Sequence, residues 1–259
     1  MSTITLFSRT HLKRVLRACA VFLLAQIAVR LDTAEADPSQ QKSADAYAAA
    51  RRKMVERDLK GRGIVDARVL AAMEAVPRHL FVPERQRGAA YDDRPLPIGE
   101  GQTISQPYIV AVMAELLELK GPEKILEIGT GSGYHAAVLA RLAAEVYTVE
   151  ILPALGERAK ERLGRLDIAN VEVKIGDGFY GWEEKAPFDA ILMTAAAPRV
   201  PEPLWSQLRE GGRLVMPLGA PRWTQKLVRI RKAEGQRIVE AVSDVIFVPL
   251  TGAIQKAPR

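Results

Sequence analysis

Leu126-Glu127-Ile128-Gly129-Thr130-Gly131-Ser132-Gly133-Tyr134 is an apolar run that enters alternating glycines and leaves into residues that favour helix. Glycine is needed where backbone comes close to a ligand, and the free amides of a helix start favour negative charge. Dinucleotide sites use a similar device. Three details point elsewhere. The spacing is G-x-G-x-G, without the third glycine of G-x-G-x-x-G. Glu127 stands in the approach to the turn, where a carboxylate repels a pyrophosphate but suits a cationic amino-acid ligand. A second acidic turn, Gly176-Asp177-Gly178, follows further on. Between them Glu150, 21 residues after Gly129, is placed to accept hydrogen bonds from both ribose hydroxyls. Asp177 can accept from an adenine amino group, with the Gly178 amide beside it. Together these residues describe a nucleoside site.

Such a site needs strand ends at one edge of a sheet. Residues 124–128, 145–149, 171–175, 188–193 and 213–217 read as strands, with helices over 134–143, 153–166 and 201–208. The alternation predicts a mainly parallel sheet with helices on both faces. Residues 226–231 and 237–247 leave little room for a crossover helix, so they are expected to pair antiparallel. Upstream, Ala46–Leu59 favours helix up to Gly61 and Gly63, Asp66 caps a helix running to Val76, and Ile109–Leu119 has helical apolar spacing. Phe81 to Gly101 reads as loop and short strand.

Composition narrows the chemistry. The 259 residues are 48% hydrophobic, enough for one sizeable α/β domain, with a formal charge of +6. Residues 1–36 hold five basic and two acidic groups, so half of that excess lies in this stretch. Cys19 is the single cysteine, which excludes intrachain disulfides, thiolate zinc sites and a cysteine nucleophile in the main domain. His11, His79 and His135 are scattered without ligand spacing, so no metal is expected, and His79 reads as a core histidine.

Lys13, Arg14 and Arg17 precede an apolar run from Ala18 to Val29, followed by Ala34-Glu35-Ala36. This is the pattern of a secretory signal. We therefore divide the chain into an extension over 1–36, a linker over 37–50 and one domain over 51–259.

Gly101-Gln102-Thr103-Ile104-Ser105-Gln106-Pro107-Tyr108, followed by Leu126–Tyr134, resembles the protein-L-isoaspartate O-methyltransferase family. Val76-Pro77-Arg78-His79-Leu80-Phe81-Val82-Pro83, Gly176–Gly178, Pro187–Ile191 and Phe247–Leu250 match in the same order, so the resemblance spans about residues 50–251. It implies a Rossmann-like S-adenosylmethionine-dependent methyltransferase fold, with a mainly parallel seven-stranded sheet, an antiparallel C-terminal strand pair and extra N-terminal helices. It implies S-adenosylmethionine as methyl donor, no metal, and isoaspartyl residues of damaged proteins as acceptors. By position it makes Ser105 the active-site hydroxyl. It gives donor contacts to Thr103, Ile104, Gln106, Glu127, Gly129, Gly131, Glu150, Asp177, Gly178 and Thr251. The methyl ester is then expected to cyclise to a succinimide whose hydrolysis restores some aspartate. His135 stands where the family often has glutamine.

The donor is made in the cytosol, so a cytoplasmic location is expected, with export through residues 1–36 as the alternative. A monomer without stable membrane association is expected. Two rival functions suit the same site: methylation of nucleic acid or a small molecule, and donor binding without catalysis. Thr194-Ala195-Ala196-Ala197-Pro198 has no aromatic to stack a base. Arg222, Lys226, Arg229, Arg231, Lys232 and Arg237 alternate as the solvated face of a strand pair would. No nucleic-acid partner is expected.

Overall fold

The computed structural model describes residues 38–220 and 223–256, with side chains from 46 onward. The extension over 1–36 and Arg222 lie outside the described residues. The chain divides into two units, Met1–Ala46 and Tyr47–Arg259, and the second holds the strands of the described residues.

Helix α1, Pro38–Lys53, begins within the stretch expected as a linker, where alanine content favours helix over coil. It runs on into a π-helical turn, Met54–Leu59, and ends where Gly63 takes a left-handed φ of 99°. Helix α2, Ala67–Ala75, starts as expected at Asp66, whose carboxylate accepts from the Arg68 and Val69 amides. Such a cap stabilises by about 1 kcal/mol. Helix α3, Pro107–Leu116, begins two residues before the expected Ile109, because Pro107 presets the φ of the first helical position. Before it lies a hairpin of strands β1, Leu96–Gly99, and β2, Gln102–Ile104.

The remaining strands are β3 (Lys124–Ile128), β4 (Glu145–Glu150), β5 (Val171–Ile175), β6 (Phe188–Met193), β7 (Leu208–Leu218), β8 (Gln225–Ala233) and β9 (Gln236–Val245). They form one sheet in the order β5-β4-β3-β6-β7-β8-β9. Pairing is parallel from β5 to β7 and antiparallel between β7 and β8 and between β8 and β9. β8 therefore runs opposite to the other six strands of this sheet. Between β8 and β9 the chain turns in two residues, Glu234 and Gly235, both at positive φ. That turn type follows the natural strand twist. The helices between strands are α4 (Tyr134–Leu139), α5 (Pro153–Arg165) and α6 (Glu202–Gln207). Helix α4 stops short of the expected Ala143 because its last turn tightens, with the Leu142 amide bonding the Leu139 carbonyl.

Both faces of the sheet are covered, as parallel strands require. Ile125 of β3 belongs to the apolar cluster beneath α2, α3 and α4. Its neighbours Leu126 and Ile128 belong to the cluster on the opposite face with Phe188, Met193 and Leu204. The chain leaves β3 towards β4 and β5, then returns to the other side of β3 with β6. Strand order thus reverses beside the carboxyl end of β3, where open α/β sheets bind ligands.

Candidate active site

A cleft opens at this reversal point, lined by the glycine turn, the β1–β2 hairpin, the end of β4 and the segment Val248–Thr251. Gly129 has φ +98°, and a Cβ there would stand 2.4 Å from the Thr194 hydroxyl oxygen. That hydroxyl donates to the Gly129 carbonyl at 2.7 Å, so only glycine fits between turn and β6. Gly178 is also required to be bare, since a Cβ would meet Ile128 Cγ2 at 2.4 Å. Its backbone can therefore lie flat against the end of β3.

Glu150 is 5% exposed and lines the cleft. Its Oε2 accepts from the Gly131 amide at 2.8 Å and its Oε1 from the Leu152 amide at 3.0 Å. Each oxygen keeps a lone pair for a hydroxyl donor, and the carboxylate is already fixed in direction. The second hairpin strand and the residue after it bring Thr103, Ile104 and Ser105 into the lining of the same cleft. The hairpin tip is tied to α5 by Arg158 and Glu100, 3.5 Å apart. The segment after β9 is stitched to the end of β6, with the Ala196 amide on the Val248 carbonyl and the Leu250 amide on Ala196, both at 2.8 Å. This brings Thr251 to the rim.

Thr103, Ile104, Ser105, Gly129, Gly131, Glu150, Gly178 and Thr251 thus meet at one cleft. Gln106, Glu127 and Asp177 do not form its wall. Gln106 donates through Nε2 to Asp93 at 2.7 Å. Glu127 is fully buried within the sheet, where Thr148 donates to its Oε2 at 2.6 Å and Thr130 lies 2.7 Å from Thr148. Burial pushes its carboxyl up to about 8, so the proton is largely retained at neutral pH. The acid expected to face a cationic ligand is therefore set behind the turn. Asp177 bonds a protein amide with each oxygen, accepting from Phe179 at 2.9 Å and from Ala253 at 2.7 Å.

Four residues near the cleft carried no sequence assignment. Thr194 and the buried His135 line it, and burial lowers His135 to about 3. Arg78 and Asp93 brace the Ser105 loop. His79, read as a core residue, stacks on Tyr47 at 4.0 Å and bonds Tyr91 at 2.8 Å. Three of the basic strand residues pair with carboxylates, Lys226 with Asp244, Arg229 with Glu118 and Glu240, and Arg237 with Glu202, while Lys232 bonds the Trp205 and Leu208 carbonyls. Among the described residues no group of three or more His, Cys, Asp or Glu side chains can hold a metal. No helix among them is long and apolar enough to cross a membrane.

Residues 49–255 match the family model for protein-L-isoaspartate(D-aspartate) O-methyltransferase. The chain belongs to that family. It is 54% identical over 218 residues to the protein-L-isoaspartate O-methyltransferase of Methanoculleus marisnigri, covering 84% of this chain and 95% of the relative. It is 57% identical over 204 residues to the Geobacter metallireducens enzyme, covering 78% and 94%. A solved protein-L-isoaspartate O-methyltransferase superposes with a TM-score of 0.72 at 31% identity, over 79% of this chain and 67% of that one. The corresponding Plasmodium falciparum protein, solved with S-adenosyl-L-homocysteine, gives 0.68 at 30% identity, over 78% and 98%. The isoaspartate methyltransferase fold expected from the sequence is the fold observed.

Proposed function

We propose that this chain transfers a methyl group from S-adenosylmethionine to the free carboxylate of L-isoaspartyl residues in damaged proteins, with Ser105 orienting the acceptor. The observation that supports this reading is that Ser105 lines the same cleft as the glycine turn and Glu150. The cleft fits the donor. Glu150 offers two fixed acceptors for ribose hydroxyls, and Gly129, Gly131 and Gly178 let backbone approach the nucleoside. Thr103, Ile104 and Thr251 border it, while Gln106, Glu127 and Asp177 hold the wall from behind.

When bound, the donor supplies a methyl already activated by its sulfonium. A carboxylate is ionised at neutral pH, so the protein need not remove a proton from the acceptor. Its work is alignment and exclusion of water, which supply roughly 7–11 kcal/mol when geometry is held. Ser105 donates one hydrogen bond to a carboxylate oxygen and leaves the other free to attack. Incubation of the purified chain with methyl-labelled donor and an isoaspartyl peptide tests the reading. Label is expected on that peptide and not on its aspartyl counterpart; absence of label, or equal label on both, refutes it.

We place this chemistry in the cytosol, where the donor is made, and in a monomer. The basic and apolar pattern of residues 1–36 favours a second reading, export through a cleaved signal. N-terminal sequencing of protein from its native cells decides between them, and light scattering reads the oligomeric state.

A further inference from the structure

Arg78 is fully buried, and no carboxylate touches it among the described residues. A guanidinium taken out of water is costly unless its donors are used, and among the described residues Nη1 of Arg78 finds no partner, so its two remaining bonds carry the anchoring. Its Nε donates to the Ala90 carbonyl and its Nη2 to the Ser105 carbonyl, each at 2.8 Å. Its Cζ lies 4.9 Å from the centre of the Tyr134 ring, the first residue of the helix after the glycine turn. One side chain therefore spans the segment before β1, the Ser105 loop and the start of α4.

Ser105 is held from the other side as well. Asp93 accepts from the Gln106 side chain at 2.7 Å and from the Tyr108 amide at 3.0 Å, and it pairs with Arg62. The carbonyl of residue 105 and the side chain of residue 106 are thus both anchored. With those ends fixed, the backbone torsions that aim the Ser105 hydroxyl have little freedom.

We propose that Arg78 is a positioning residue for methyl transfer, acting through the Ser105 carbonyl to aim the Ser105 hydroxyl at the acceptor carboxylate. This rests on the role given to Ser105 above. Lysine cannot replace it, because an ammonium lacks the planar fork that reaches two carbonyls at once. The role differs from core packing in one measurable respect. A residue acting through Ser105 loses its effect once the hydroxyl is gone, whereas a packing residue does not.

The test is single-turnover transfer to an isoaspartyl peptide at saturating donor, for Arg78→Lys and Arg78→Met, each alone and combined with Ser105→Ala. Calorimetry with S-adenosylhomocysteine reads the donor site. Each Arg78 variant is expected to slow transfer by about 10- to 100-fold. Donor affinity should stay within about twofold, and in the Ser105→Ala background the further loss should also be under about twofold. Multiplicative losses, an unaltered rate, or a matching loss of donor affinity overturn the proposal. So does failure of both variants to show a cooperative melt, which makes Arg78 a folding residue. A slow Ser105→Ala beside unimpaired Arg78 variants sinks only this proposal; an unimpaired Ser105→Ala removes the Ser105 reading and this one with it.

Discussion

Oε2 of Glu150 lies 2.8 Å from the amide nitrogen of Gly131, so the end of β4 is bonded to the turn that ends β3. A second amide, that of Leu152, holds the other oxygen at 3.0 Å. The carboxylate is consequently oriented before any ligand arrives, and binding needs no side-chain ordering. Hydrogen bonds to a charged group contribute about 1.5–3 kcal/mol each. Glu150→Ala is therefore expected to weaken S-adenosylhomocysteine binding on the order of 10²-fold, read by calorimetry, with transfer at saturating donor little altered. Unchanged affinity would remove Glu150 from the donor site.

Ser105 carries the opposite expectation. Its hydroxyl serves the acceptor, so Ser105→Ala should slow single-turnover transfer while donor affinity holds. Loss of a donor facing developing or residual charge costs about 2.7–4 kcal/mol, and the lower end, about 100-fold in rate, applies here. The acceptor loses charge as the new bond forms, so the hydroxyl aligns it more than it stabilises it. Equal losses in rate constant and donor affinity would make Ser105 a donor ligand instead.

Much of this site was legible because apolar runs end at turn residues. β3, β5 and β6 occupy the expected ranges, Lys124–Ile128, Val171–Ile175 and Phe188–Met193. Glu150 sits where the strand reading placed a carboxylate. What was not legible is which protein groups an acid bonds in the fold. Glu127 and Asp177 have the residue types a ligand would need, yet the same types satisfy buried hydroxyls and free amides. Arg78 lies in a quoted segment, Val-Pro-Arg-His, but spacing cannot show that its partners are carbonyls at Ala90 and Ser105. Such contacts depend on tertiary packing between distant stretches.

Glu127 has a measurable consequence for stability. Burial raises its carboxyl to about 8 in the folded chain, against 4.5 unperturbed. Between those values the folded state binds a proton that the unfolded state has lost, so stability falls as pH rises. The slope is at most about 1.4 kcal/mol per pH unit. Glu127→Gln keeps an acceptor for Thr148 and removes the titration. Urea melts at pH 5 and pH 8 should show the variant gaining on the parent as pH rises. A stability difference independent of pH between those values would contradict the buried, protonated state.

Asp177 separates two ways of serving a ligand. Its Oδ2 accepts from the Ala253 amide at 2.7 Å, just beyond the cleft-lining stretch Val248–Thr251. If Asp177 acts by pinning that stretch, removing either partner should have the same effect. Asp177→Ala removes the acceptor. Ala253→Pro removes the N–H at the first position of a three-ten turn and sets the prolyl Cδ in its place, so the Asp177 carboxylate loses this bond and must turn away. Both are expected to weaken S-adenosylhomocysteine binding by at most about 1.5–3 kcal/mol, roughly 10- to 150-fold, the loss of one bond to a charged group. Asp177→Ala should additionally lower stability, because the Phe179 amide loses its cap. Calorimetry in which Ala253→Pro binds like the parent while Asp177→Ala does not would return Asp177 to direct contact with the adenine.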